Sequence, residues 1–380
     1  MSGCFALQVR LTLLFMLVLG GVLAYTTHPV QTAVTTALLI PEAIPDAPLR
    51  PLLTFSDEPV REHVRYPYQG GQAEADVFLP AKDGRYGAVI LFLGINADMS
   101  NPHLLRISQA LARSGIVALV PTPVELLEGR VSYSEIDALA GAFDYLLSHP
   151  KVDAQKVGLF GFSVGASLVL VAAADPRINE QVAFVNAFGG YFSAESLFLA
   201  MTTRQIQVDG LPQPWEPNRD ALVWFAQQFI HEVDDEFSRG LLEKAFVSGE
   251  TLGLFDILAL SLEGKAVFAA LSNRDPQVAA FVFQALPGSL KEQLARLSPQ
   301  NALGGIKTDV YVMHDRNDTY IPFTESRRLV EALKDYPRLR YSEFDLFQHV
   351  EPTKALASPE FVQEIWKLFT HAYYVVGEVK

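Results

Sequence analysis

The stretch VGLFGFSVG, residues 157–165, decides the fold of this chain. A short apolar run leads into a G-x-S-x-G pattern, and the small-residue run Ala166–Ala174 follows it. This order predicts a buried strand, a sharp turn that carries Ser163, and a helix. Gly161 and Gly165 suit the turn, because side chains two residues before and after the serine would collide there.

A serine on so sharp a turn is held in a strained backbone conformation, with its hydroxyl lifted clear of the sheet. The helix that follows points free N–H groups at the same place, which favours negative charge that develops there. The arrangement is that of a nucleophile elbow. The alternative interpretation is an ordinary Gly/Ser turn between a strand and a helix.

Composition limits the class of protein. The chain has 380 residues, of which 49% are apolar and 19% charged, enough for a sizeable core and against disorder. A formal net charge of −13 disfavours nucleic-acid binding, because the chain would repel phosphate backbones. Cys4 is the single cysteine, which excludes a disulfide framework, a cysteine metal site and a thiol nucleophile in the body of the chain.

The N-terminus is apolar from Leu11 to Ala24 and is preceded by Arg10. This pattern fits a signal peptide, and an extension back to Phe5 gives the length of an uncleaved membrane anchor. A buried helix of a soluble protein is the third interpretation. We therefore expect a signal peptide or transmembrane helix over residues 1–24, membrane association through it, and an exported or anchored, extracytoplasmic chain. Residues 25–60 are rich in proline and predict a linker or a strapping segment, without a regular element.

From Arg61 onward, apolar strands alternate with helices. Strands are predicted at 61–66, 74–79, 88–93, 116–120, 157–160, 182–186, 309–313 and 339–344, and helices at 102–114, 134–147, 323–334 and, with Ser358 as its N-cap, at the C-terminus. Such alternation predicts an α/β fold with a doubly wound, mostly parallel sheet. Active sites in these sheets lie at the carboxyl ends of the strands.

Polar side chains follow two later strands at these ends. A serine hydroxyl needs a base to accept its proton, and the base needs a carboxylate to orient it. His349 follows the strand at 339–344 and is the predicted base. Asp315, Asp318 and Asp345 compete for the role of the carboxylate.

The tetrahedral intermediate of acyl transfer needs two N–H donors for its oxyanion. One is the backbone N–H of Val164, the residue after the serine. The other is expected just after the strand at 88–93, where we assign the Ile95 N–H, with Asn96 as the alternative.

Together these residues resemble the α/β-hydrolase superfamily, from about Arg61 to the C-terminus apart from an insertion. The spacing from Asp318 to Pro322 matches the family and favours Asp318. The resemblance implies a Ser-His-Asp acyl-transfer enzyme with no metal or organic cofactor. The strands of this chain look closest to the dienelactone-hydrolase-like and prolyl-oligopeptidase-like branches. The chain departs from the family in having Leu93-Gly94 for the usual His-Gly, and from dienelactone hydrolases in having Ser163 for their cysteine.

Residues 191–306 interrupt the strand–helix alternation and have a helical pattern, with Leu222, Phe225 and Phe229 on one face of a helix. In the superfamily such insertions form a helical cap over the active site, so we expect 61–190 and 307–380 to form the core and 191–306 a cap that shapes the substrate pocket. The alternative for each of its many aromatic residues is the cap's own core.

The sequence thus predicts a carboxylesterase-like serine hydrolase that cleaves a small-molecule ester or related acyl bond through an acyl-enzyme intermediate. The alternatives are an acyltransferase or peptidase with the same triad, and a non-catalytic ligand-binding member of the fold. Nothing in the sequence sets the substrate or the oligomeric state.

Overall fold

A computed structural model describes residues 27–44, 47, 49–96, 99–352 and 359–380. The predicted signal peptide or anchor over residues 1–24 and the predicted N-cap Ser358 lie outside the described residues.

Within those ranges, each helix is too short or too polar to cross a bilayer. The 21-residue C-terminal helix Pro359–Val379, for example, carries Glu364 and Lys367. Nothing in the described residues therefore supports the predicted signal peptide, transmembrane helix, membrane association or extracytoplasmic location, and these predictions are withdrawn.

The segment predicted as a linker contains helix α1 (His28–Ala43) and the short helix α2 (Pro51–Phe55). The prediction that it holds no regular element is therefore wrong. Pro29 and Pro51 lie in the first turn of a helix, where a missing N–H costs nothing, so these prolines mark helix starts.

The core of the fold is an eight-stranded sheet in the order β1-β2-β4-β3-β5-β6-β9-β10. Its strands are β1 (Val60–Tyr68), β2 (Gly71–Leu79), β3 (Tyr86–Phe92), β4 (Val117–Pro121), β5 (Val152–Phe162), β6 (Phe184–Phe188), β9 (Asp309–Asp315) and β10 (Leu339–Phe344). The strand β2 pairs antiparallel with β1 and β4, and all other neighbours are parallel. The predicted doubly wound, mostly parallel sheet is confirmed.

Helices cover both faces of this sheet. The helices described after α2 are α3 (Pro102–Arg113), α4 (Val124–Leu127), α5 (Ser134–Ser148), α6 (Val164–Ala173), α7 (Ala194–Thr203), α8 (Arg219–Ile230), α9 (Glu236–Glu243), α10 (Leu254–Ala259), α11 (Leu262–Ser272), α12 (Pro276–Ala285), α13 (Gly288–Arg296), α14 (Thr324–Ala332) and α15 (Pro359–Val379). Phe143 of α5 and Leu168 of α6 pack in one apolar layer, and Leu104 of α3 and Val376 of α15 pack in the other. The sheet is therefore buried between two helical layers, as the continuous apolar strands predict.

Helices α7–α13 follow β6 and form the predicted helical insertion. Phe198, Phe229, Leu242 and Phe283 belong to a hydrophobic cluster that these helices share. Helices α10 and α11 are separated at Ser261, whose hydroxyl accepts from the Gly264 N–H and caps α11. Short hairpins β7–β8 (Gln205–Val208, Leu211–Pro214) and β11–β12 (Phe347–Gln348, Glu351–Pro352) were not anticipated by the sequence.

Glu135 is a buried carboxylate on α5 whose side chain caps α4. One of its oxygens accepts from the Glu125 N–H at 2.8 Å and from the Leu126 N–H at 3.3 Å. Burial raises the pKa of Glu135 to about 7, although these hydrogen bonds lower it.

The raised pKa of Glu135 predicts that stability falls as pH rises from about 5 to 8, since the folded chain keeps a proton that the unfolded chain has released. Glu135→Gln keeps an accepting oxygen and removes the charge. We expect the free energy of unfolding of the variant, relative to that of wild type, to be about 2 kcal/mol higher at pH 8 than at pH 5. Denaturant unfolding at the two pH values measures the difference. Glu128→Gln, at an exposed position, is the control and should show no such pH dependence; an equal response in both variants contradicts the assignment.

Candidate active site

Ser163 occupies the turn between β5 and α6 with φ 55° and ψ −131°. A β-carbon on Gly161 would overlap the carbonyl oxygen of Gly165, and one on Gly165 would overlap the carbonyl oxygen of Leu93. Both glycines are thus required by close packing, and the strained strand–turn–helix geometry is the one the motif predicts.

His349 and Asp318 form a hydrogen-bonded pair near this turn. His349 Nδ1 lies 2.7 Å from Asp318 Oδ2 in a buried setting. The other oxygen of Asp318 accepts from the backbone N–H groups of Tyr320 at 2.7 Å and Ile321 at 3.0 Å. The turn after β9 therefore orients the carboxylate. The indole N–H of Trp215 donates to the backbone carbonyl oxygen of Asp318 at 2.9 Å.

A second histidine, His314 at the end of β9, also reaches Asp318. Its Nε2 lies 3.2 Å from Asp318 Oδ2 and 3.0 Å from the Ile321 carbonyl oxygen, and its Nδ1 lies 2.6 Å from Ser326 Oγ. Burial alone raises the pKa of Asp318, but the charges and hydrogen bonds of His349 and His314 outweigh it and hold the pKa well below its usual range. Asp318 is thus an ionised carboxylate that can orient an imidazole.

The two competing carboxylates have other partners. Asp315 accepts from the N–H groups of Asn317 at 2.8 Å and Phe347 at 2.6 Å, and so anchors the loop that leads to His349. Burial raises the pKa of Asp315 to about 6. Asp345 accepts from the side-chain amide of Asn317 at 3.0 Å.

Ser163 and the Asp318–His349 pair converge on the end of β6. The Ser163 N–H donates to the Phe188 carbonyl oxygen at 2.8 Å. A β-carbon on the next residue, Gly189, would lie 3.5 Å from Asp318 Oδ2 and 3.6 Å from the His349 ring, and its φ of 69° also favours glycine. Among the described residues, however, the Ser163 hydroxyl has no hydrogen-bond partner, so the structure does not join Ser163 to His349 directly.

Two backbone N–H groups flank Ser163. Val164 is the first residue of α6, where the N–H has no partner within the helix. Ile95 lies in the turn after β3 and lines the same cavity as Ser163. The Asn96 N–H instead donates to the Leu126 carbonyl oxygen at 3.0 Å, so this alternative donor is already engaged.

Gly94 packs directly against the serine. A β-carbon there would lie 2.8 Å from Ser163 Cβ and 3.0 Å from Ser163 Oγ. We expect Gly94→Ala to displace Ser163 and lower kcat/KM by about 100-fold, with a loss of stability below about 3 kcal/mol. Steady-state kinetics and denaturant unfolding separate the two effects. Gly240→Ala in α9, where a β-carbon meets open space, is the matched control and should keep full activity; unchanged kinetics in Gly94→Ala would show that Ser163 is not confined as described.

Ser163 lines a cavity of about 440 Å³ between the sheet and the insertion. Leu197, Met201, Trp224 and Phe225 of α7 and α8 form much of its apolar wall. The Arg130 side chain also lines the cavity and is paired with Glu125 at 2.8 Å and Glu128 at 2.6 Å. Across the described ranges, no group of three His, Cys, Asp or Glu side chains is placed to hold a metal ion.

Comparison with solved structures settles the fold. The Pyrococcus horikoshii acylaminoacyl peptidase, 14% identical, aligns with a TM-score of 0.50 over 84% of this chain and 42% of that protein. The chain has the α/β-hydrolase fold. The predicted resemblance is confirmed. Residues 135–229 of this α/β-hydrolase, which include Ser163, match the family described as BAAT / Acyl-CoA thioester hydrolase C terminal.

Curated relatives match parts of this α/β-hydrolase. The peroxisomal succinyl-coenzyme A thioesterase of Mus musculus is 30% identical over 132 residues, which are 34% of this chain and 30% of that protein. A probable 2-oxo-3-(5-oxofuran-2-ylidene)propanoate lactonase of Bradyrhizobium sp is 31% identical over 123 residues, 28% of this chain and 48% of that protein. The matched stretches thus cover less than half the length of these relatives.

Sequence reasoning missed several residues around the site. His314 was not recognised as a partner of Asp318, although the spacing of four residues was visible. Tyr320, whose ring stacks on His349 at 4.8 Å, and Trp224, whose ring lies 5.7 Å from Tyr320, carried no local signal because they meet only through the tertiary fold.

Proposed function

We propose that this α/β-hydrolase cleaves an ester or thioester bond with Ser163 as the nucleophile. The observation that carries the proposal is the strained Ser163 turn at the wall of an apolar cavity, beside the buried Asp318–His349 pair. A merely structural Gly/Ser turn does not require an ionised carboxylate and an imidazole at the ends of two neighbouring strands.

Each residue has a distinct role in the proposed reaction. Ser163 Oγ attacks the acyl carbon while His349 Nε2 accepts the hydroxyl proton, and the same imidazolium returns the proton to the departing alcohol or thiol. Water then attacks the acyl-enzyme, with His349 again accepting a proton, and Ser163 leaves with that proton. Asp318 keeps the proton on His349 Nδ1 and stabilises the imidazolium.

The Ile95 and Val164 N–H groups are proposed as the oxyanion donors. Val164 adds the N-terminal end of α6, where the helix dipole favours negative charge. The N–H of Ile95 has no hydrogen-bond partner among the described residues, which leaves it free for a ligand. Donors fixed in a cavity shielded from water stabilise an oxyanion without reorganising during the reaction.

The helices of residues 191–306 are proposed as a cap on the core formed by 61–190 and 307–380. They contribute the apolar wall opposite Ser163, which would select the acyl group and exclude water. The cap thus determines the substrate, while the core supplies the chemistry.

The proposed class of scissile bond is broader than the predicted carboxylic ester. The relatives' names include a succinyl-coenzyme A thioesterase and a lactonase, so thioesters and oxygen esters are both candidates. Coenzyme A carries phosphate groups that need cations, whereas Arg130 at the cavity is already paired with two glutamates. We therefore propose a small substrate with an apolar acyl group, whose recognition does not depend on phosphate groups such as those of coenzyme A.

A fluorophosphonate probe and a substrate panel test the proposal. We expect the probe to label the folded protein at Ser163, identified by peptide mass spectrometry, and graded p-nitrophenyl esters to show a preferred chain length. The same acyl group presented as a coenzyme A thioester and as an N-acetylcysteamine thioester should be cleaved equally well. Failure of the folded protein to be labelled, together with no cleavage of any ester or thioester, refutes the proposed function.

A further inference from the structure

Trp224 on helix α8 contacts two turns of the core and lines the cavity that holds Ser163. Its side chain is half-buried. The indole N–H faces Asn96 in the turn after β3, and the ring packs on Tyr320 in the turn after β9. One side chain of the insertion therefore reaches the two turns that flank the proposed chemistry.

The contact with Asn96 has a defined polarity. An indole N–H only donates, so the carboxamide oxygen of Asn96 must face it, at 2.8 Å. In this orientation the Asn96 amide nitrogen donates to the Leu127 carbonyl oxygen at 3.2 Å. The backbone N–H of Asn96 donates to the Leu126 carbonyl oxygen, so α4 holds Asn96 on one side and Trp224 holds it on the other.

Asn96 needs such support because its φ is 52°, a left-handed conformation that costs energy outside glycine. Ile95, which is proposed to bind the oxyanion, is the preceding residue. The hydrogen bonds of Asn96 therefore limit the rotation of the Ile95 backbone and the direction of its N–H.

The second contact leads to the imidazole. The rings of Trp224 and Tyr320 have centroids 5.7 Å apart, and the Tyr320 ring stacks on His349 at 4.8 Å with 23° between the ring planes. Aromatic contacts of this kind restrict the orientation of the rings they join. Trp224 thus supports His349 through one intermediate ring.

We infer that Trp224 is a positioning residue that couples the insertion to catalysis, by holding the oxyanion turn through Asn96 and backing His349 through Tyr320. The inference rests on the proposed function. Because both supports come from α8, an insertion displaced from the core leaves Ile95 and His349 less well ordered. The insertion then contributes to the rate as well as to the shape of the pocket.

Trp224→Phe tests the inference because it keeps an aromatic ring against Tyr320 and removes the indole N–H. We expect kcat per fluorophosphonate-labelled site to fall about tenfold with KM nearly unchanged. The inhibition constant of an acyl trifluoromethyl ketone, which presents a tetrahedral oxyanion, should rise by the same factor. Loss of folded protein alone lowers the number of labelled sites and leaves both of these values unchanged. Trp366→Phe, at an exposed position on α15, is the matched control and should behave as wild type.

Asn96→Gly gives an independent second variant, because it tolerates the left-handed φ while losing the acceptor. It should show the same loss, and the double variant Trp224→Phe/Asn96→Gly should lose little more than either single variant. If the losses in rate of the two single variants multiply in the double variant, the inference is overturned. An unchanged inhibition constant in Trp224→Phe also overturns it. Wild type that is neither labelled nor active refutes the proposed function itself, so the two failures are distinguishable.

Discussion

Replacing Ser163 with Ala is expected to lower kcat/KM by about 10,000-fold and to abolish fluorophosphonate labelling. In the proposed mechanism the hydroxyl supplies the electron pair that forms the acyl-enzyme, and no other hydroxyl is placed on the strained turn at the end of β5. The fold should survive, because the Ser163 hydroxyl makes no hydrogen bond to any residue in the described part of the chain. Labelling, steady-state kinetics on the preferred ester and circular dichroism together measure the outcome.

The matched control for Ser163→Ala is Ser132→Ala. Ser132 lines the same cavity, but its hydroxyl pairs with Ser134 Oγ at 3.0 Å. This variant should keep its labelling and its activity. Full esterase activity in Ser163→Ala contradicts the proposed mechanism, whereas a similar loss in both serine variants indicates disturbance of the cavity and not removal of a nucleophile.

The sequence predicted that Asp318 and His349 lie close together because parallel strands carry their carboxyl ends to one edge. The elbow follows β5, Asp318 follows β9 and His349 follows β10, and β5, β6, β9 and β10 run parallel in that order. The placement of Asp318 beside His349 needed only the order of strands and the lengths of the turns. Apolar runs bounded by turn residues are a strong local signal, so these elements were found close to their observed bounds.

The choice among the three aspartates needed more than strand order. A loop rich in Asp and Asn offers several carboxylates within a few residues, and only the backbone geometry decides which one faces His349. Asp318 is fixed by the N–H groups of Tyr320 and Ile321, and Asp315 is turned toward Phe347. The family spacing to Pro322 anticipated this result, but composition alone did not.

The insertion and the N-terminal segment were less predictable, since their structure depends on contacts distant in sequence. Helix α1 was missed because prolines were interpreted as breakers, although Pro29 is at a helix start. The hydrogen bond from Trp224 to Asn96 joins residues far apart in the sequence, and no periodicity reports such a pair. Local patterns therefore predicted the helices of the insertion but not where they contact the site.

Asp318→Asn is the second large prediction, and we expect kcat/KM to fall by about 1,000-fold to 10,000-fold. In the proposed triad the carboxylate accepts the Nδ1 proton of His349, which leaves Nε2 free to accept the proton of Ser163. An amide in its place can present an N–H to Nδ1 and stabilise the tautomer whose Nε2 already carries a proton. The imidazolium formed during attack also loses the ionised partner whose pKa lies well below its usual range. Steady-state kinetics across pH measures the loss.

Asp345→Asn is the matched control. Asp345 lies four residues before His349, and in the described chain its side-chain oxygens accept a hydrogen bond from the Asn317 amide only. This variant should retain activity, which separates the orientation of His349 from a general change in charge near the site. The predicted defect in Asp318→Asn should diminish at alkaline pH, where general base assistance by His349 matters less because hydroxide can promote the attack of Ser163. If Asp318→Asn is fully active at neutral pH and Asp345→Asn is not, the carboxylate of the proposed triad has been assigned to the wrong residue. Asp318 contacts the imidazoles of His349 and His314 and accepts from two backbone N–H groups, so its burial is compensated and it can stay ionised beside His349, which argues for a loss of activity in Asp318→Asn.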